Sequence, residues 1–199
     1  LADIMAERFE APAAVVVTPV DRALFRPVPV EDDGRLRVLM LFHEYPWKGV
    51  ADGLEAFARV RARHPGLSLV GFGVKPPPRK LPFDEFHEDL PQERLAWLYS
   101  RCPIYLCPSW DEGLGMPAME AMACGATVLA SQIQPIPEFG QDAVRYVDPL
   151  NVELMTKEIA ALLADPETRE LLGQRARIQA RRFSWDEFTG KVVGLYDRA

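Results

Sequence analysis

A basic excess is the first thing this chain lacks: 23 Lys and Arg stand against 29 Asp and Glu, for a formal net charge of −6. Proteins that hold duplex nucleic acid or an anionic membrane do so through a basic stripe, so no nucleic-acid partner is expected and any bound phosphate belongs to one local site. Cysteine is also scarce. Cys102, Cys107 and Cys124 are an odd number in a chain of 199 residues, which can bury about 70% of its unfolded surface without staples. Buried thiols in a reducing compartment are expected. The odd separation of Cys102 and Cys107 along an apolar run puts them on opposite strand faces, against a shared metal. His43, His64 and His87 lie too far apart in sequence to form a metal motif. No apolar run approaches the roughly 20 residues of a membrane-spanning helix, and no basic-then-apolar leader opens the chain. A Gly-x-Ser-x-Gly elbow is missing, which sets hydrolysis aside. The chain begins at Leu1 rather than Met, read as a processed chain or a piece of something longer.

What is present is ordinary for a folded domain, with 48% apolar and 26% charged residues. Six short apolar runs, at 13–17, 36–42, 67–72, 104–107, 127–130 and 144–147, read as strands. Most are apolar on successive residues, as in a parallel sheet covered on both faces. Helices are expected between them: 50–63, with a stripe of Val50, Leu54 and Phe57; one opened by Pro91; and one opened by Pro117 and stopped by Gly125. The alternation predicts an α/β fold, a doubly wound parallel sheet of Rossmann-like type, with a helical C-terminal segment. That segment reads as 151–164, 166–182 and a last helix whose start, Ser184 to Glu187, has the form of a capping box. The stiff run of residues 75–80 reads as an exposed loop.

The sharpest feature is the stretch from Pro108 to Glu120, placed between a buried strand and a helix. Ligands of open α/β sheets bind at the carboxyl ends of strands, so a site belongs there. Gly113 and Gly115 permit close approach of a ligand, and the following helix aims unpaired N–H groups at the same place. Glu112 and Glu120 flank this anion seat. Carboxylates accept hydrogen bonds from vicinal hydroxyls, so the pair suits a ligand with sugars on both sides of its phosphates. Two plainer roles stay open: Glu112 as a solvated loop acid, Glu120 as a first-turn dipole partner. Gly113, Gly115 and Ala118 also have dinucleotide-fingerprint spacing, but Ser131 and Gln132 stand where that fingerprint needs an acid. A second candidate loop, from Phe42 to Gly49, carries Lys48 near a helix start, where a cation opposes the helix dipole unless an anion is bound.

These residues resemble the C-terminal, nucleotide-binding domain of retaining glycosyltransferases of the GT-B fold, most closely glycosyltransferase family four. Glu112 and Glu120 match that family's two glutamates separated by seven residues, within Pro-Ser-x-x-Glu-Gly-x-Gly. Lys48-Gly49, Val70-Gly71-Phe72-Gly73 and Ile136-Pro137-Glu138 follow its order. The resemblance implies transfer of a sugar from a nucleoside-diphosphate sugar. Lys48 and Glu112 would be catalytic, Lys48 on the donor diphosphate and Glu112 against the transferred sugar. Donor binding would also involve His43, Phe72, Gly73, Phe86, His87, Gly113, Leu114, Gly115, Met116 and Glu120, the last on the ribose and Phe72, Gly73, Phe86 and His87 near the base. It implies no cofactor, no metal and a cytoplasmic setting. One departure stands out: His43 occupies about the place where relatives carry an arginine for the diphosphate.

The resemblance also divides the chain. Residues 1–12 would be a remnant of a preceding domain, 13–183 the donor-binding domain, and 184–199 a helix that docks on a missing N-terminal, acceptor-binding domain. That missing half would be a partner in the reaction and would make any membrane contact. The competing reading is a non-catalytic module or split subunit that binds nucleotide or protein through the same surface.

Overall fold

The computed structural model describes residues 7–8, 14–31 and 33–197. The expected remnant at 1–12 lies outside the described residues except for Glu7 and Arg8, as do Ala13, Arg198 and Ala199. Six strands form one sheet: β1 (Arg37–Leu41), β2 (Ser68–Gly73), β3 (Glu85–Glu88), β4 (Ile104–Cys107), β5 (Thr127–Ser131) and β6 (Arg145–Val147). Every neighbouring pair is parallel, and the order across the sheet is β3-β2-β1-β4-β5-β6. The chain leaves β1 to one side for β2 and later returns to its other side for β4. The order therefore reverses between β1 and β4, and the crevice at their carboxyl ends is where such sheets take ligands.

The unbroken apolar strands are explained by cover on both faces. Val38 and Met40 of β1 join Ile104 and Leu106 of β4 in one core cluster, while Leu39 and Tyr105 point into another. The first cluster is closed by α1 (Val50–Arg61) through Ala56, Phe57 and Val60, and by α5 (Val152–Ala164) through Met155 and Ile159. The second is closed by α2 (Gln92–Arg101), α3 (Met116–Ala123), the short α4 (Ile136–Gly140) and α6 (Pro166–Ala180). Asn151 and Asp165 cap α5 and α6 by accepting hydrogen bonds from the amides of Leu154 and Thr168 at 2.8 and 2.9 Å.

The last helix, α7 (Trp185–Tyr196), buries none of its residues. Half of its expected capping box is made: the Ser184 hydroxyl accepts from the Glu187 amide at 3.2 Å, while the Glu187 carboxylate pairs with Lys191.

Two expectations need correction. The first apolar run, 13–17, is not a strand: its described residues, 14–17, join no sheet, and Val15, Val16 and Val17 line one small cavity with Phe183 and, from the start of α7, Glu187 and Phe188. A short apolar run serves packing as readily as pairing. Conversely, β3 has no apolar run to announce it. It is an edge strand of Glu, Phe, His and Glu, charged at both ends, as unpaired edges commonly are.

Candidate functional site

The crevice is walled by the loops that follow β1 and β4, and these two loops are tied to each other. Trp110 donates its backbone N–H to the Trp47 carbonyl at 2.6 Å and its indole N–H to Asp52 at 2.8 Å. Gly49 makes the closest approach. It ends the 3-10 turn Pro46–Lys48 at φ 62°, and a Cβ built on it would lie 2.0 Å from the Pro108 carbonyl oxygen. An L side chain is disfavoured there by conformation and by space at once.

This closeness brings Lys48 to Glu112. The Lys48 ammonium donates to Glu112 Oε1 at 2.8 Å, and the Ser109 hydroxyl donates to the same oxygen at 2.8 Å. The Glu112 side chain is only 6% exposed and that of Lys48 18%, so the carboxylate is no solvated loop acid. A buried carboxylate of this kind needs its cation and its hydroxyl partner. One ammonium proton is committed to Glu112, and the ammonium has others for an anion in the crevice.

Beyond Glu112 the chain turns into α3 over Gly113, Leu114, Gly115 and Met116. Gly115 is the N-cap at φ 66°, with no side-chain cap, and Pro117 sits in the first turn. Among the described residues, no acceptor faces the backbone N–H groups of Gly113, Leu114, Gly115 or Met116. Four successive amides without a protein partner, at the positive end of a helix, form an anion seat. Glu120 lies one turn into α3. Its Oε2 accepts the Tyr99 hydroxyl at 3.0 Å. Burial pushes the Glu120 carboxyl up, and the Tyr99 hydrogen bond works against that rise. The second Glu120 oxygen is free to accept. His43 packs at a tilt on Tyr45, 4.3 Å between ring centroids, and its Nδ1 accepts from the Tyr45 amide at 3.2 Å. That bond places the neutral ring's proton on Nε2, as a donor.

Of the expected residues, the structure joins Lys48 directly to Glu112; Gly113, Leu114, Gly115 and Met116 carry the chain from Glu112 into α3, Glu120 lies one turn further on, and His43 stands on the loop after β1, against Tyr45. The four residues expected near the base lie on the paired strands β2 and β3, Phe72 opposite His87, but their side chains have different surroundings. Phe72 is 7% exposed and packs edge-on to Tyr99. Gly73 is required by packing, since a Cβ on it would lie 2.6 Å from the Phe42 carbonyl. Phe86 and His87 alternate along β3: Phe86 meets Phe42 and Phe83, whereas His87 lines a separate cavity of about 520 Å³ with Glu85, Trp97 and Arg101. Their side chains cannot line one pocket together. Three partners escaped sequence reasoning: Tyr99, Ser109, and the Trp110–Asp52 pair. Only Ser109 carried a signal, as part of the Pro-Ser motif. Among the described residues, no group of three or more His, Cys, Asp and Glu is placed to hold a metal ion.

Fold and crevice together define a Rossmann-like α/β domain with a largely buried Lys48–Glu112 pair at the switch point of its sheet. Residues 21–179 match the family described as Glycosyl transferases group 1. The chain belongs to that family, and its fold is that of the C-terminal domain of a GT-B glycosyltransferase. It is 33% identical over 99% of its length to an MMP alpha-(1->4)-mannosyltransferase of Mycolicibacterium hassiacum, of which it covers 51%. Over 54% of its length it is 36% identical to O-antigen chain mannosyltransferase B of Escherichia coli, of which it covers 28%. The chain therefore spans about half or less of these relatives. In fold it resembles a sucrose-phosphate synthase from Thermosynechococcus elongatus, with a TM-score of 0.81 at 23% identity, covering 98% of this chain and 55% of that one. It also resembles the C-terminal domain of a glycosyl transferase group 1 family protein from Francisella tularensis, with a TM-score of 0.70 at 22% identity, covering 82% of this chain and 97% of that one.

Proposed function

We propose that the crevice holds the diphosphate of a nucleoside-diphosphate sugar, and that this chain is the donor-binding domain of a retaining, metal-independent hexosyltransferase acting on a glycan, lipid-linked or similar acceptor. The observation that carries this reading is the row of four partnerless amides beside Lys48. Each part has a task. The amides from Gly113 to Met116 and the Lys48 ammonium receive the diphosphate as it departs, the kind of preorganised stabilisation that lowers such barriers without a metal ion. The His43 Nε2–H serves as a weaker donor in place of a guanidinium. Glu112, held by Lys48 and Ser109, faces the transferred sugar, and the free oxygen of Glu120 takes a ribose hydroxyl. The base passes the carboxyl ends of β2 and β3, with backbone rather than the divergent side chains of Phe86 and His87 facing it.

The crevice supplies only one wall. Tyr45, Trp47, Trp110 and Leu114 stand 43 to 57% exposed around it, and Trp185, Val193 and Tyr196 of α7 stand 51 to 79% exposed. Apolar surface of this kind marks an interface, and a second, acceptor-binding domain covers both in this reading. Residues 13–183 then form the donor domain, 184–199 reach across to the other half, and 1–12 belong to the connection. Reaction takes place in the cytoplasm, with any membrane contact made by the other half. The test is a transfer assay on the chain joined to its upstream sequence, with the product's anomeric configuration read by NMR in the presence of EDTA. Retention with undiminished turnover is expected. An inverted product, or activity lost to EDTA, overturns the corresponding part, and absence of transfer favours a non-catalytic module.

A further inference from the structure

Four arginines from two distant stretches of the chain line a single cavity. Arg22 and Arg26, from the segment leading into the sheet, face Arg177 and Arg181 at the end of α6 across about 310 Å³, over a floor that includes Phe25 and Ala180. Among the described residues, no acidic side chain lines this space. Among the described residues, the side chains of Arg26, Arg177 and Arg181 take part in no hydrogen bond or ion pair, and Arg22 alone is engaged, donating to the Arg181 carbonyl at 3.2 Å. The chain as a whole carries a net charge of −6, so four cations gathered without a carboxylate run against its charge balance.

Helix dipoles explain part of the arrangement and leave the rest. The carboxyl ends of α3, at Ala123, and of α6 both meet the cavity. Each such end presents about half a negative charge. Two ends offset roughly one of the four positive charges, leaving about three to repel one another. Guanidinium groups in this number, forked and converging, match phosphate oxygens. The cavity's size is at the lower end of the roughly 300 to 1,000 Å³ typical of ligand sites, enough for a small ligand or one headgroup.

We propose that this cavity is a second anion site, for a phosphate or diphosphate group, distinct from the donor crevice. The two lie at opposite ends of α3, separated by about 10 Å of helix. The phosphate comes either from a soluble metabolite or from an anionic lipid headgroup; the chemistry is the same and the source is open to experiment.

The test uses the 199-residue chain and two probes, inorganic pyrophosphate by calorimetry and vesicles of phosphatidylglycerol by co-sedimentation, with phosphatidylcholine vesicles as the uncharged control. The variants are Arg26→Gln with Arg177→Gln, and separately Lys48→Ala to disable the crevice. All four arginines are exposed, so an unchanged melting temperature is expected. Pyrophosphate binding that survives Lys48→Ala and weakens about a hundredfold in the arginine double variant, near tenfold per charged hydrogen-bond donor removed, assigns a soluble phosphate. Vesicle binding lost in the double variant assigns a headgroup. Restoring charge without the fork, with Arg26→Lys and Arg177→Lys, should recover only part of either. The proposal is overturned if neither probe binds, or if binding is unaffected by the arginine variants.

Discussion

Replacing Gly49 by alanine tests the tie between the two crevice loops. The substitution has two costs that the structure separates. A left-handed alanine costs about 1–2 kcal/mol, and the new Cβ, 2.0 Å from the Pro108 carbonyl oxygen, must move to ordinary contact, a displacement of about 1.4 Å. Forcing such overlap into packed surroundings costs a further 1–3 kcal/mol or so, for a total near 3 kcal/mol. Gly34 is the control: it has φ +70°, and among the described residues a Cβ there meets nothing within 4 Å. Gly34→Ala should lose only the conformational part, about 1 kcal/mol. In a domain of this size the two variants should melt about 9 and 3 °C below the parent. The displacement at Gly49 also acts on function, because Lys48 and Glu112 meet across the same gap at 2.8 Å. Misplacement by about 1 Å costs on the order of a hundredfold in positioned chemistry. Nucleoside diphosphate affinity by calorimetry should therefore fall by one to two orders of magnitude in Gly49→Ala and not at all in Gly34→Ala. Equal melting temperatures and equal affinities for the two variants would refute the reasoning.

Three further outcomes follow from the same contacts. Burial raises the Glu120 carboxyl, so the folded chain holds that proton to higher pH than the unfolded chain. Stability then falls as pH rises from the ordinary value of 4.5 through the raised one, and stays reduced above it. Glu120→Gln should be more stable than the parent at pH 8, by thermal melting, with the difference gone below pH 4.5, while its nucleotide affinity drops; a variant less stable at pH 8 contradicts this. Ser109→Ala removes one of the two donors that hold Glu112. In the joined protein kcat should fall about tenfold, for roughly 1–2 kcal/mol of lost hydrogen bonding, with KM for donor little changed; the reverse split would place Glu112 in binding rather than chemistry. Burial pushes Cys107 up to about 11 and Cys102 and Cys124 up to about 12, so no thiol should react with Ellman's reagent at pH 7.5 until the chain is unfolded. Rapid labelling of the native protein would show that one of the thiols is accessible.

Where the sequence was legible, local chemistry decided the structure. The run 104–107 is β4 to the residue, four successive apolar positions covered on both faces of the sheet. The Pro117 and Gly125 signals framed α3, which starts one residue earlier, at Met116. The alternation of strands and helices put the loops carrying Lys48 and Glu112 at one sheet edge, while the ion pair between the two is seen only in the structure. What stayed hidden depends on contacts between distant residues. Tyr99 reads as a core aromatic until its hydroxyl is seen on Glu120, and β3 is a strand only because β2 offers it an edge. Phe86 and His87 looked like neighbours at the base, yet adjacent residues on a strand face opposite ways. The two arginine pairs, 22/26 and 177/181, lie more than 150 positions apart, and no local pattern could bring Arg22 to Arg177.

The central claim is that the crevice between β1 and β4 is a nucleoside-diphosphate site. Its most direct test is calorimetric titration of the chain with UDP, GDP and ADP, repeated on Lys48→Ala and Glu120→Gln. The account predicts selective binding of one nucleotide, weakened at least tenfold by each substitution, the first through the diphosphate and the second through the ribose. Binding that neither substitution alters, or no binding of any of the three even with the upstream domain restored, would contradict it.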